Sequence, residues 1–157
     1  MSRTLPDARE AFVAAMGRDT PGTDLPRYVK VLDTLIAWSL KRAAPLEFRA
    51  GGGRSDVIGF SIPGSEAAFW SAQVTRGAGP KLEIHTPSGR PLSEEERARA
   101  METLNAHSRS ALVEGDRLRI GFGALKNAAA QRAVLDLMER LLQGDAAAAQ
   151  QPPKEQS

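Results

Sequence analysis

The segment from Leu46 to Thr86 constrains the fold most, because its apolar residues alternate with polar ones instead of recurring every three or four positions. Such alternation is typical of strands that bury one face of a sheet. Turn-forming joints interrupt it at Gly51–Gly53, Pro63-Gly64 and Gly77–Pro80, where glycine and proline favour chain reversal. For 65–70 a helical turn is the alternative to a strand. We predict four short antiparallel strands, at 46–49, 57–62, 70–75 and 81–85.

Helical periodicity lies on both sides of this segment. Residues that can cap a helix precede three of the periodic stretches: Asp24, Asn127, and Ser93, which can form a capping box with Glu96. Pro45 prevents the helix that follows Asp24 from continuing, since proline is not tolerated in a helix interior. The predicted helices are Pro6–Met16, Leu25–Arg42, Ser93–His107 and a last helix from Asn127 to Gln143.

A fifth strand, Asp116–Phe122, separates the last two helices. This order predicts an α+β domain of two layers, with a mostly antiparallel sheet of about five strands and helices packed on one face. Gly17 and Gly144 are predicted to end the first and last helices. The predicted organisation is a short N-terminal helix and linker (1–23), a single α+β domain (24–143) and a disordered low-complexity tail (144–157).

The composition excludes several classes of function. The 157 residues include no cysteine and two histidines, which excludes disulfides, a thiol nucleophile and thiolate zinc sites. No stretch approaches the ~18 apolar residues of a membrane span, and residues 1–10 do not resemble a signal peptide. We therefore expect a cytoplasmic protein with no membrane association, no metal and no cofactor. The arginine- and alanine-rich composition is typical of a GC-rich genome, and we expect a bacterial source.

The charge of the chain is nearly balanced, although its isoelectric point is about 9.3. With 21 Lys and Arg against 19 Asp and Glu, the formal net charge is only +2. Strong non-specific binding to a polyanion needs many phosphate contacts, so the placement of the cations matters more than their number. Polar residues that alternate with apolar ones share the outer face of the sheet. The candidate binding residues are Arg49, Arg54, Arg76, Lys81, Arg117 and Arg119.

Three residues are weak candidates for catalysis: Asp56, Glu83 and His85. Glu83 and His85 share one side of a predicted strand, and a carboxylate can orient an imidazole for general-base catalysis. With Asp56 opening an earlier strand, the pattern over residues 25–122 resembles the PD-(D/E)xK nuclease superfamily. The resemblance implies that Asp56 and Glu83 bind Mg²⁺, and it places His85 where those nucleases have a lysine that assists water activation. No proline precedes Asp56 in this chain.

A convergent catalytic set is missing from the sequence, because no serine or cysteine nucleophile motif and no second nearby histidine accompany His85. We therefore expect a non-enzymatic cytoplasmic binding module. It would engage a protein partner, or a second copy of itself, through the arginine-bearing sheet face or an unpaired edge strand. The first alternative is a nucleic-acid-binding protein that uses the same basic face. The second is a divergent metal-dependent nuclease of the PD-(D/E)xK type.

Overall fold

The alternating segment forms the centre of an antiparallel sheet, with helices before and after it along the chain. The structure, a computed structural model, describes residues 4–20, 22–49, 56–75, 79–87 and 91–150, with the backbone alone at 19 and 144–150. Within these ranges the elements are α1 (Leu5–Asp19), α2 (Leu25–Lys41), β1 (Glu47–Arg49), β2 (Val57–Ser61), β3 (Trp70–Thr75), β4 (Gly79–His85), α3 (Glu94–Asn105), β5 (Leu112–Glu114), β6 (Arg117–Gly121), α4 (Phe122–Leu125) and α5 (Ala128–Gln150).

The strands form one open sheet of six strands in the order β1-β2-β3-β4-β6-β5, and neighbouring strands are antiparallel. The helices pack on one face, where their buried residues join those of the strands in a single apolar core. The pairing registers bring one core residue from each strand into a row across the sheet: Phe48, Phe60, Trp70, Ile84, Leu118 and Val113. The predicted α+β fold is confirmed.

A buried hydrogen bond joins α2 to the middle of the sheet. Trp70 Nε1 donates to Ser39 Oγ over 2.7 Å, and this hydroxyl donates to the carbonyl of Leu35 over 2.8 Å. Trp70 and Ser39 are both 0% exposed, and the indole also stacks on Phe60 with ring centroids 5.2 Å apart. Because a buried N–H needs an acceptor, the serine belongs to the core as much as its apolar neighbours do.

An ion pair at the rim of the helix layer joins α2 to α5. Arg42 donates to both carboxylate oxygens of Glu139, from Nε over 3.2 Å and from Nη2 over 2.5 Å. The same guanidinium lies 5.6 Å from the ring centre of Trp38. The hydrogen bonds from Arg42 stabilise the charged carboxylate more than burial disfavours it, and they lower the pKa of Glu139.

Two glycines that the sequence predicts as helix ends lie inside helices instead. α1 continues through Gly17 to Asp19, and Leu25 packs so close that its Cδ2 would lie 3.4 Å from a Cβ added at Gly17. α5 continues through Gly144 to Gln150, because the alanines at 146–149 favour a helix and offset the ~1 kcal/mol cost of one glycine. Both predicted helix ends are wrong. Residues 151–157 of the predicted tail lie outside the described residues.

All three predicted cap residues stand directly before their helices, and two of them form capping hydrogen bonds. Ser93 and Glu96 form the reciprocal capping box, with bonds of 3.1 and 3.0 Å, and Asn127 Oδ1 accepts from the first turn of α5. Asp24 makes no side-chain capping bond, because its backbone is already helical at φ −92° and ψ −23°. Its carboxylate instead accepts a hydrogen bond from Lys126 Nζ over 3.2 Å.

Two short elements, β5 and α4, are absent from the sequence prediction. β5 and β6 form a hairpin around Gly115 and Asp116, with Gly115 at φ +53°. The predicted strand 116–122 is therefore the second arm of a hairpin, and Phe122 begins α4 instead of ending the strand. Residues 65–69 form no helical turn, since they are irregular and Trp70 begins β3. The predicted strand at 70–75 is thus confirmed.

Candidate functional site

The sheet face opposite the helices carries most of the candidate residues, and we call it the polar face. The registers bring Arg49, Ser71, Glu83 and Arg119 into one row across the sheet. The long side chains of the face are mostly half-exposed, whereas small residues between them, such as Ser71, are buried. The polar face consists of Glu47, Arg49, Val57, Gly59, Ser61, Ser71, Gln73, Thr75, Lys81, Glu83, His85, Leu112, Glu114, Arg117 and Arg119.

Glu83 lies at the centre of the polar face, between Arg119 and His85. Arg119 donates to Glu83 Oε2 from Nη2 over 2.7 Å and from Nε over 3.2 Å. His85 Nε2 lies 3.1 Å from the other carboxylate oxygen, Oε1. His85 therefore contacts the carboxylate at ion-pair distance. We call these three residues the central cluster.

Burial explains why the central cluster is held together. Glu83 is only 8% exposed, and a buried carboxylate must be paired to offset its lost hydration. Its partners are more open to solvent, because the side chains of Arg119 and His85 are 37% and 33% exposed. The strand pairing sets Arg119 directly opposite Glu83, and His85 follows two residues along the same strand. The backbone thus fixes all three positions.

The other cations of the polar face differ in the contacts that they make within the chain. Arg49 Nη1 donates to the carbonyl of Ser65 over 3.3 Å. Arg117 Nη2 lies 3.6 Å from Glu114 Oε2, a long contact between two half-exposed side chains. Lys81 has no ion pair with a residue in the described ranges. The predicted binding residues Arg54 and Arg76 lie outside the described residues.

Asp56 does not join the central cluster. Its carbonyl accepts a hydrogen bond from the Val74 amide over 2.9 Å. This places Asp56 two strands across and about three residues along from Glu83, roughly 14 Å away by strand spacing. Two carboxylates that share one Mg²⁺ must both lie ~2 Å from it. In the part of the chain that the structure describes, no group of three His, Asp or Glu residues can hold a metal ion.

A cleft with a volume of about 490 Å³ opens beside His85. Three separate stretches form its walls: the β2–β3 connection from Ile62 to Phe69, the end of β4 through Pro87, and Asp116 in the β5–β6 turn. The bond from Arg49 to the Ser65 carbonyl ties the first of these walls to the polar face. Sequence reasoning missed the cleft. The available signal was the Gly-Asp pair before β6, which is typical of a two-residue hairpin turn.

No family model, curated protein or solved structure matches this chain. The resemblance to PD-(D/E)xK nucleases therefore gains no support from comparison, and the separation of Asp56 from Glu83 does not fit their paired acids. Among the helices of the described ranges, none combines the length and apolar character needed to cross a bilayer. Function must be inferred from the polar face and the cleft.

Proposed function

We propose that the protein is a non-enzymatic binding module whose polar face engages a protein partner. The observation that carries this proposal is the central cluster, in which buried Glu83 fixes the donors of Arg119 on a half-exposed sheet face. Arginine is enriched among the residues that dominate binding energy at protein interfaces. A side chain that is already held in place loses less conformational entropy when a partner binds. The cluster is therefore suited to recognition.

The charges of the polar face favour a protein over a nucleic acid as the partner. Three of its four described cations, Arg49, Arg117 and Arg119, already contact an acceptor within the chain, and Lys81 has no ion pair with a described residue. Strong binding to phosphates needs many cations that are free to contact them. Mixed charges instead suit a protein surface with a complementary pattern. The carboxylates of the face are Glu47, Glu83 and Glu114.

The broad face suits a partner better than the sheet edges do. The edge strands β1 and β5 have three residues each, and short edge strands limit the addition of a partner strand. The face crosses six strands, which is about 25 Å at a spacing of ~4.8 Å. That width matches the ~800 Å² patch that each partner contributes to a standard interface. A second copy of the chain is the other binding partner to test for this face.

Sedimentation velocity and capture from a cell extract test this proposal with matched variants. Lys81→Glu/Arg117→Glu reverses two charges on the polar face, and Lys30→Glu/Arg132→Glu makes the same change at exposed helix positions. We expect the wild type and the helix variant to form the same complex, and the polar-face variant to lose it. Identical behaviour of all three proteins, including no complex at all, would refute the proposal.

The alternatives predict different behaviour. A nucleic-acid-binding protein would be retained on a polyanion column with a steep salt dependence, whereas we expect elution at low salt. A nuclease would show metal-dependent cleavage that Glu83→Ala/His85→Ala abolishes, and we expect no cleavage by the wild type. The cytoplasmic location stays a prediction. Cell fractionation of a tagged chain tests it.

A further inference from the structure

The cleft beside His85 is a site of its own, distinct from the broad contact proposed for the polar face. We propose that it binds a small organic cation, an amine with an apolar body. Its volume of about 490 Å³ falls within the range typical of small-molecule sites. The class of ligand follows from the charges and the apolar groups of the lining.

Apart from the imidazole of His85, the charged side chains that line the cleft are both carboxylates. Glu66 and Asp116 line it, and neither carboxylate has an ion pair among the described residues. His85 also lines the cleft, and its Nε2 contacts Glu83 of the central cluster. Ser65 and Thr86 already have partners within the chain. A complementary ligand must therefore donate hydrogen bonds and carry positive charge.

The rest of the cleft is apolar. Ile62, Phe69 and Pro87 line it, and Phe69 is 2% exposed, so its ring is packed in place. An ammonium group attached to a hydrocarbon or aromatic body satisfies both parts of the lining. A carboxylate or phosphate would instead meet two carboxylates that have no ion pair among the described residues, and it would be repelled. The described lining also lacks the three ligands that a metal ion requires.

The backbone fixes the position of Asp116 before any ligand binds. Its carbonyl accepts a hydrogen bond from the Thr86 amide over 2.8 Å, and the carbonyl of the preceding Gly115 accepts from the Leu92 amide over 3.0 Å. Both residues of the hairpin turn are thus hydrogen-bonded to the segment that follows β4. A carboxylate on a held turn lowers the entropy cost of binding.

Phenethylamine and phenylacetate form a matched pair of probes, because both carry a phenyl ring and they have opposite charges. Amide NMR shifts of Phe69, His85 and Asp116 report binding. For phenethylamine we expect a Kd of about 1–10 mM, from about 0.3–0.45 kcal/mol for each of its roughly nine non-hydrogen atoms. We expect no saturation with phenylacetate. A capped tripeptide with a central lysine then shows whether a peptide-borne ammonium binds more tightly than the free amine.

Glu66→Gln/Asp116→Asn is expected to weaken phenethylamine binding by about tenfold, because two favourable charge contacts are lost. Asparagine at 116 still suits the hairpin turn, so this variant should fold. The matched control is Asp136→Asn, which removes an exposed carboxylate from α5 and should leave the Kd unchanged. Equal affinity for the two probes, no effect of the double variant, or no binding up to about 50 mM would overturn the proposal.

Discussion

Removing the hydroxyl of Ser39 tests whether one buried hydrogen bond fixes α2 to the sheet. Ser39→Ala deletes the acceptor that lies 2.7 Å from Trp70 Nε1. Both residues are 0% exposed, so water cannot replace the lost partner. The indole N–H is then buried with no acceptor, while its stack on Phe60 is untouched.

The expected magnitude follows from that burial. An unsatisfied buried donor costs about 1–3 kcal/mol, and the better helix propensity of alanine offsets about 0.5 kcal/mol of this. In a Trp70→Phe background the donor is already gone, so Ser39→Ala should change the free energy of unfolding by less than about 0.5 kcal/mol. The coupling between the two substitutions is therefore about 1–3 kcal/mol, and helix propensity cancels from it.

Urea unfolding of the four proteins in this cycle measures the coupling. Far-UV circular dichroism is the suitable signal, because Trp70→Phe removes one of only two tryptophans. With a slope of about 2 kcal/mol per molar urea, the coupling corresponds to about 0.5–1.5 M in the midpoints. If Ser39→Ala shifts the midpoint equally in both backgrounds, the hydroxyl does not satisfy the indole and the reasoning fails.

Three further expectations concern charge and backbone. Arg119→Met leaves a buried carboxylate without its arginine partner and should lower the free energy of unfolding by about 2–3 kcal/mol. Glu83→Gln leaves a guanidinium that water can reach and should lower it by about 1 kcal/mol. Equal urea midpoints for the two variants would contradict this asymmetry. Glu139→Gln should cost about 1 kcal/mol at neutral pH. Because the native pKa of Glu139 is lowered, the stability difference between wild type and variant should persist down to the ordinary carboxyl pKa and disappear as the pH falls through the lowered value. Urea unfolding at a series of pH values between about 7 and about 3 measures this difference. A stability difference that does not change with pH would refute the pKa argument. Gly17→Ala should stabilise the protein by up to about 1 kcal/mol through helix propensity and raise its melting temperature. Gly115→Ala should destabilise it by about 1 kcal/mol, because φ is +53°, and lower its melting temperature. Calorimetry measures both shifts, and shifts of the same sign would contradict this reasoning.

The membership of the polar face was predictable because the side of a strand is a local property. Once Leu82 and Ile84 are assigned to the core, Glu83 and His85 must point the other way, whatever the neighbouring strands are. The same reasoning succeeds for Arg117 and Arg119 on β6, and the pairing registers confirm it. The period-two pattern therefore predicts which residues of these strands lie on the polar face, whereas Leu112 and Glu114 of the unpredicted strand β5 were missed.

The pairing of Glu83 with Arg119 in the central cluster was not predictable, because strand order is a long-range property. β4 and β6 are neighbours although α3 and β5 lie between them in the sequence. An alternating pattern does not reveal which strand lies opposite Glu83, so its pairing with Arg119 was missed. The cleft depends on the same arrangement, since Asp116 reaches it through the β5–β6 hairpin. The missing side-chain capping bond at Asp24 also involves a long-range contact, because its carboxylate binds distant Lys126.

The pairing of β4 with β6 also determines at which stage of folding the polar face is completed. The registers of β1 to β4 join strands that are consecutive in sequence, whereas the Lys81–Gly121 partners are about 40 residues apart. Closing the longer loop costs more chain entropy, and such distant contacts slow folding. We therefore expect Glu83 and Arg119 to meet late, after the hairpins have formed. A partner that recognises the surface formed by Glu83 and Arg119 together would bind only chains whose folding is complete. It would not bind nascent or partly unfolded copies.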